Sequence, residues 1–148
     1  RPELPKAIGE INYVAFGMAA LGLFIPIYQG VTSYPEAYTK GDNHCKEDSA
    51  YWILRRVQTL GMVNYNKYAP VIRDTYDRFE AEMEQRQREM EVDYLALYPT
   101  HPIAAQQLLQ RFSDKLLTDV LQVSKDLLDD LFTRLTLDVQ AEYRFAGA

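Results

Sequence analysis

The sequence of 148 residues predicts an α+β chain, a short β-hairpin followed by a mainly helical region. Three observations carry that expectation. An uncharged stretch interrupted by glycines runs from Ile11 to Tyr28, a loop rich in turn formers follows, and beyond residue 46 apolar residues recur at helical spacing. With 47% hydrophobic and 25% charged residues the composition is that of a folded domain. Residues 1–46 are expected to contribute a strand pair and loop to a larger sheet, and 47–148 a helical layer. Together they read as one fragment of a single larger domain. The start at Arg1, without an initiator methionine or a signal-peptide pattern, points the same way, to a processed product or a piece of something longer.

Residues 1–46 hold four basic and four acidic side chains and most of the prolines and glycines. At 18 residues the run Ile11–Tyr28 just reaches the length of a membrane span. Gly17, Gly22 and Pro26 interrupt it, however, and the flank at Glu10 and Asn12 lacks basic or tryptophan anchors. Two strands, about 11–18 and 22–28 and joined near Ala19–Leu21, account for it better. Pro26 then belongs on an edge or at a bulge, because it cannot donate to a central ladder. Neither face of this hairpin is polar, and continuous apolarity calls for cover on both sides. The helices can supply one cover; the other requires a partner.

The loop 30–48 is punctuated by Pro35, Gly41, Asp42 and Asn43. Asp48 or Ser49 is placed to cap a helix over about 49–63, with Tyr51, Leu54, Val57 and Leu60 or Gly61 on one face. A break at Tyr65–Asn66 precedes a second helix over 67–97, about 45 Å long, with Pro70 in its opening turn. Ile72, Tyr76, Phe79, Met83, Met90 and Leu97 form its narrow apolar seam. Seven acidic and three basic residues lie between Asp77 and Asp93, either a cation- or partner-binding face or simply a solvated one. Thr100 is expected to cap a third helix over 102–122, with Ile103, Leu109, Phe112, Leu116 and Val120 inward. Ser124 is expected to start a fourth, packing through Leu127, Leu128, Leu131, Phe132, Leu135, Val139 and Tyr143.

Several functions are disfavoured by what the chain contains. Sixteen basic against twenty-one acidic residues, a net charge of −5 with no basic block, argue against binding duplex nucleic acid. One cysteine excludes an internal disulfide, and two histidines leave little for a metal centre. No glycine-rich phosphate loop, His-Glu-x-x-His or Gly-x-Ser-x-Gly motif is present. His44-Cys45 is the one obvious pairing of nucleophile and base, but loop neighbours rarely fold an imidazole over a sulfur. Asp42 and Lys46 make that segment a solvated turn, and a depressed thiol pKa would be the mark of an independent thiol enzyme. His101 reads as a residue at a helix start.

The run Ile25-Pro26-Ile27-Tyr28-Gln29-Gly30, then Pro35 and Tyr38, then Ser49-Ala50-Tyr51-Trp52-Ile53-Leu54-Arg55 resembles the carboxy-terminal part of the bacterial dipeptidase A family. The same order continues through Tyr68-Ala69-Pro70, the charged helix and a closing Ala141-Glu142-Tyr143-Arg144-Phe145. That resemblance implies an N-terminal-nucleophile hydrolase that cleaves dipeptides of broad sequence within a four-layer αββα sandwich. In such enzymes a cysteine at the mature N-terminus attacks the peptide carbonyl. Its own α-amino group, with an ordinary pKa of about 7.7–8.0, serves as base. Cys45 matches no family motif and its nitrogen lies in a peptide bond, so no catalytic residue is carried onto this chain.

The resemblance therefore implies the structural carboxy-terminal portion of a cysteine-type dipeptidase, inactive alone, with no cofactor and no metal. Its partners would be the remainder of the parent chain, dipeptide substrates of that parent, and a second copy in a homo-oligomer, in the cytoplasm and without nucleic acid or membrane. Trp52 and Arg55, just beyond the loop, are the expected substrate-binding residues, Arg55 as a bidentate donor to a dipeptide carboxylate. The structural alternative for them is a core tryptophan and an ion pair. For the chain as a whole, the alternative is a non-catalytic helical interaction module that uses the charged helix and an exposed sheet face.

Overall fold

A computed structural model describes residues 1–142. The elements run α1 (Lys6–Gly9), β1 (Ile11–Val14), β2 (Ile25–Tyr28), α2 (Ala50–Val63), α3 (Tyr65–Leu97) and α4 (Pro102–Glu142), with 3-10 turns at Ala19–Leu21 and Glu36–Tyr38. The hairpin followed by helices is as expected. Three long helices replace the four anticipated, and the one-turn α1 was not foreseen.

The strands are shorter than expected. β1 and β2 pair antiparallel from Ile11↔Tyr28 to Val14↔Ile25, and the connection does turn at Ala19–Leu21. Tyr13↔Pro26 is one of the pairs, and in a two-stranded sheet the proline sits on an edge strand as expected. Alternation puts Ile11, Tyr13, Pro26 and Tyr28 on one face and Asn12, Val14, Ile25 and Ile27 on the other. Exposure, though, divides by strand rather than by face. On β2, Ile25, Pro26 and Tyr28 are buried and Ile27 nearly so; on β1, Asn12, Tyr13 and Val14 are exposed. β2 lies against the helices, and β1 stands outside it.

α2 begins one residue later than expected. Ser49 occupies its N-cap, but the hydroxyl donates to the Lys40 carbonyl at 2.9 Å instead of capping the helix, which ties the loop to the helix start. Its buried face is Ala50, Ile53, Leu54, Val57, Gln58 and Gly61, so Tyr51 turns outward. α3 begins at Tyr65, which places Pro70 in the second turn and not the first. Pro70 and Asn66, the residue whose carbonyl loses its donor, are both exposed, so water can take the donor's place.

α4 runs unbroken for 41 residues, about 60 Å, through the expected break at Ser124. Ser124 is fully buried; its hydroxyl donates to the Val120 carbonyl and meets the Tyr76 hydroxyl, each at 2.8 Å. A serine satisfied one turn back in its own helix has no need to cap a new one. Burial lifts the Tyr76 hydroxyl to about 12, against the opposing bond to Ser124. At the other end Thr100 bonds His101 Nδ1, and Pro102 takes the first helical position. Ile103, Phe132 and Val139, expected inward, are exposed, and Tyr143 lies outside the described residues.

The main core joins Leu21, Leu23 and Ile25 to Leu54 and Val57 of α2, Ile72, Tyr76 and Met83 of α3, and Leu116, Val120 and Leu131 of α4. A second cluster packs Ile8, Tyr28 and Val31 on Met90, Tyr94, Ala105 and Leu109. Along α3 four of the five basic residues pair with an acid one turn away: Arg73–Asp77, Arg78–Asp74, Arg86–Glu82 and Arg88–Glu84. That makes it a solvated helix with one packed stripe.

Candidate functional site

The connection between the strands is the most constrained part of the hairpin. Gly17 has φ +72°, a left-handed conformation that costs a side-chain-bearing residue about 1–2 kcal/mol. Its turn is gripped by Gln58 of α2, which is buried. Gln58 Oε1 accepts from Met18 N at 2.9 Å, and Gln58 Nε2 donates to the Phe16 carbonyl. A Cβ on Gly17 would overlap Gln58 Oε1 and lie 2.7 Å from Arg55 Nη1. Further along, Arg73 of α3 donates to the Ala20 and Gly22 carbonyls at 3.1 and 2.8 Å. Two helices thus hold one turn from two sides.

Arg55 sits on the same side of α2, half-buried, and donates Nη1 to Gln58 Oε1 at 3.1 Å. No carboxylate lies within ion-pair distance of it among the described residues. Among the described residues its remaining guanidinium nitrogens bond no protein atom, and neither is a buried orphan. The structural ion pair considered for Arg55 is therefore not formed among the described residues. Trp52, one turn earlier, is half-buried rather than a core residue. Its indole Nε1 donates to the Asp42 carbonyl at 3.0 Å and its ring meets Tyr51 edge-on at 5.3 Å. Trp52 holds the loop down; Arg55 looks into open space.

Beside the turn, on the Val14 face of the hairpin, lies a groove of about 250 Å³ lined by Val14, Phe16, Ile25, Ile27, Tyr34, Tyr38 and Leu117. Phe16 and Tyr38 pack 6.2 Å apart, and the Tyr38 hydroxyl is spent on the Leu117 carbonyl at 2.7 Å. Burial pushes that hydroxyl far above the ordinary tyrosine range. The groove is apolar and offers no reactive group.

On the opposite face the Tyr28 hydroxyl donates to Glu91 Oε1 at 2.8 Å, and Arg1 clasps both oxygens of Glu91 at 2.7 and 2.9 Å. Partial burial works to raise the Glu91 pKa, but the bonds from Arg1 and Tyr28 outweigh it and the carboxylate is held below its ordinary range. This is an anchor for β2. His44 and Cys45 share no hydrogen bond; Cys45 is exposed, and His44 uses its backbone N–H on Asp42. No group of three or more His, Cys, Asp or Glu able to hold a metal occurs among the described residues.

Sequence reasoning singled out Arg55 and Trp52 but missed Gln58, Gly17 and Arg73. The signals were present: Gln58 is polar in the apolar register of α2, and Gly17 is an isolated glycine in a strand pattern.

A hairpin with its turn clamped to a helical layer, and an unpaired arginine beside that turn, characterise this α+β chain. Residues 1–78, which carry the hairpin, the loop and all of α2, match the profile of Peptidase family C69, and the chain belongs to that family. It is similar to a probable dipeptidase of Salmonella dublin, 46% identical over 41 residues, which are 28% of this chain and 10% of that protein. It is also similar to probable dipeptidase A of Streptococcus pyogenes serotypes M18 and M3, 25% identical over 68 residues in each case. Those segments are 46% of this chain and 14% and 15% of the relatives. The chain thus matches only about a seventh or less of the length of these curated relatives. No helix of the described residues is long and apolar enough to cross a membrane.

Proposed function

We propose that this chain is the carboxy-terminal structural portion of a cytoplasmic dipeptidase whose nucleophile, a cysteine at the mature N-terminus, lies on the remainder of the parent. The observation that carries the reading is β1: within the segment matching the family, an apolar strand is exposed on both faces and has one unpaired edge. An exposed apolar edge strand invites pairing. The remainder of the parent would extend the sheet at β1 and close the groove at Val14 and Phe16, in keeping with the layered sandwich expected of the family. A free, exposed thiol at Cys45 suits a reducing compartment.

Arg55 and Trp52 take substrate-side roles in this proposal. Arg55 presents two free guanidinium nitrogens, the geometry that takes a carboxylate bidentately, and the anchored Trp52 forms a wall beside it. The alternative of an interaction module built on the charged helix has less support, because four of its five basic residues are already taken by acids of the same helix.

The test compares the isolated 148-residue chain with the full-length parent on simple dipeptides. The parent is expected to hydrolyse them and to lose activity when its N-terminal cysteine becomes serine; the isolated chain is expected to be inert. Robust turnover by the isolated chain, or an active serine variant of the parent, would overturn the proposal.

A further inference from the structure

The geometry points to Gln58 as a positioning residue that sets Arg55 as a receptor for the free carboxylate of the substrate, an inference that rests on the dipeptidase reading. Gln58 is polar, buried, and held at both ends: its Oε1 accepts from both Met18 N and Arg55 Nη1, and its Nε2 donates to the Phe16 carbonyl. One carboxamide therefore joins the arginine to the backbone of the turn. A buried amide held at both ends has little freedom to rotate, so it fixes the place of Arg55 Nη1.

The partner on Arg55 is neutral. Had a carboxylate held Nη1, the charge would already be compensated; an amide oxygen orients the guanidinium and leaves the charge available for a ligand. Gly17 completes the arrangement, since any side chain there would displace both the Gln58 oxygen and Arg55 Nη1. The ligand class that fits is a small peptide with an ionised α-carboxylate. A dipeptide amide, neutral at that end, forfeits the charge-assisted pair.

The experiment measures kcat/KM of the full-length parent for alanyl-alanine and for alanyl-alanine amide. The wild type is expected to prefer the acid by about a hundredfold, and Gln58→Met to reduce that preference about tenfold, mainly through KM for the acid. Arg55→Met should abolish the preference, and adding Gln58→Met to it should change the ratio no further. A role confined to folding would lower both activities together and leave the ratio intact, and that result would overturn the inference. Equal hydrolysis of acid and amide by the wild type would overturn it while sparing the dipeptidase reading. A parent that cleaves neither would remove both.

Discussion

Ile72, Leu116 and Val120 disappear completely between helices, whereas Tyr13 and Val14, no less apolar, stand 57% and 39% exposed on β1. The bundle of α2, α3 and α4 closes on itself, each helix turning a stripe toward the other two. The hairpin closes on the bundle chiefly through β2; β1 adds the half-buried Ile11 and a Tyr13 hydroxyl that accepts from Gln87 Nε2 at 3.4 Å. Dependence between the two regions therefore runs one way. The hairpin needs the helices for its position, while what it gives them lies on the turn and β2: Leu21, Leu23 and Ile25 in the main core and Tyr28 in the second cluster.

The largest effect should come from the bundle. Leu116→Ala removes a fully buried side chain at the meeting of the helices, and we expect a loss of about 2–5 kcal/mol in urea unfolding of the chain. Amides of both regions should lose exchange protection together. If the hairpin kept its protection, the one-way dependence would be wrong.

Gly17→Ala should cost about 2 kcal/mol, part from the left-handed backbone and part from displacing Gln58 and Arg55. Its mark is regional: faster hydrogen exchange in β1 and the turn, with α4 unchanged. Uniform loosening of the whole chain would contradict the division.

Acid should loosen the hairpin before the bundle. The Glu91 carboxyl is depressed in the folded chain, so its contribution is complete above its unfolded value of about 4.3 and fades as pH falls through the lower folded one. Because Arg1 is itself well exposed, the effect is at most about 1 kcal/mol. Glu91→Gln should show the looser hairpin already at neutral pH and remove that step from an acid titration followed by exchange at β2.

Smallest of all, Val14→Lys should change the stability of the 148-residue chain by no more than about 0.5 kcal/mol, since Val14 is already 39% exposed. In the full-length parent the same substitution should impair folding, visible as aggregation or lost activity. A neutral outcome there would mean that β1 faces water in the whole protein too.

Local features were the ones that could be read in advance. α2 was legible to within one residue because its apolar period and its serine boundary coincide, and the hairpin because uncharged alternation leaves few other options. The single α4 was not, because a buried serine and a capping serine look alike until Tyr76 is placed opposite it, 48 positions away. The site divides in the same manner. Arg55 stood out by its neighbours in sequence, but Gln58 acquires its meaning from Phe16 and Met18, some 40 residues earlier. The first strand, expected to reach Met18, stops at Val14, and beyond it Gln58 takes the Phe16 carbonyl and the Met18 N–H that a ladder would use.

The indole of Trp52 rests on the Asp42 carbonyl at the seam where the loop gives way to α2, and the chain has no other tryptophan. Nature has thereby fitted this protein with a single optical gauge at its internal joint. Ultraviolet emission can be watched for the lifting of residues 40–48 from the helix without attaching a dye, and no second chromophore of the same kind blurs the signal.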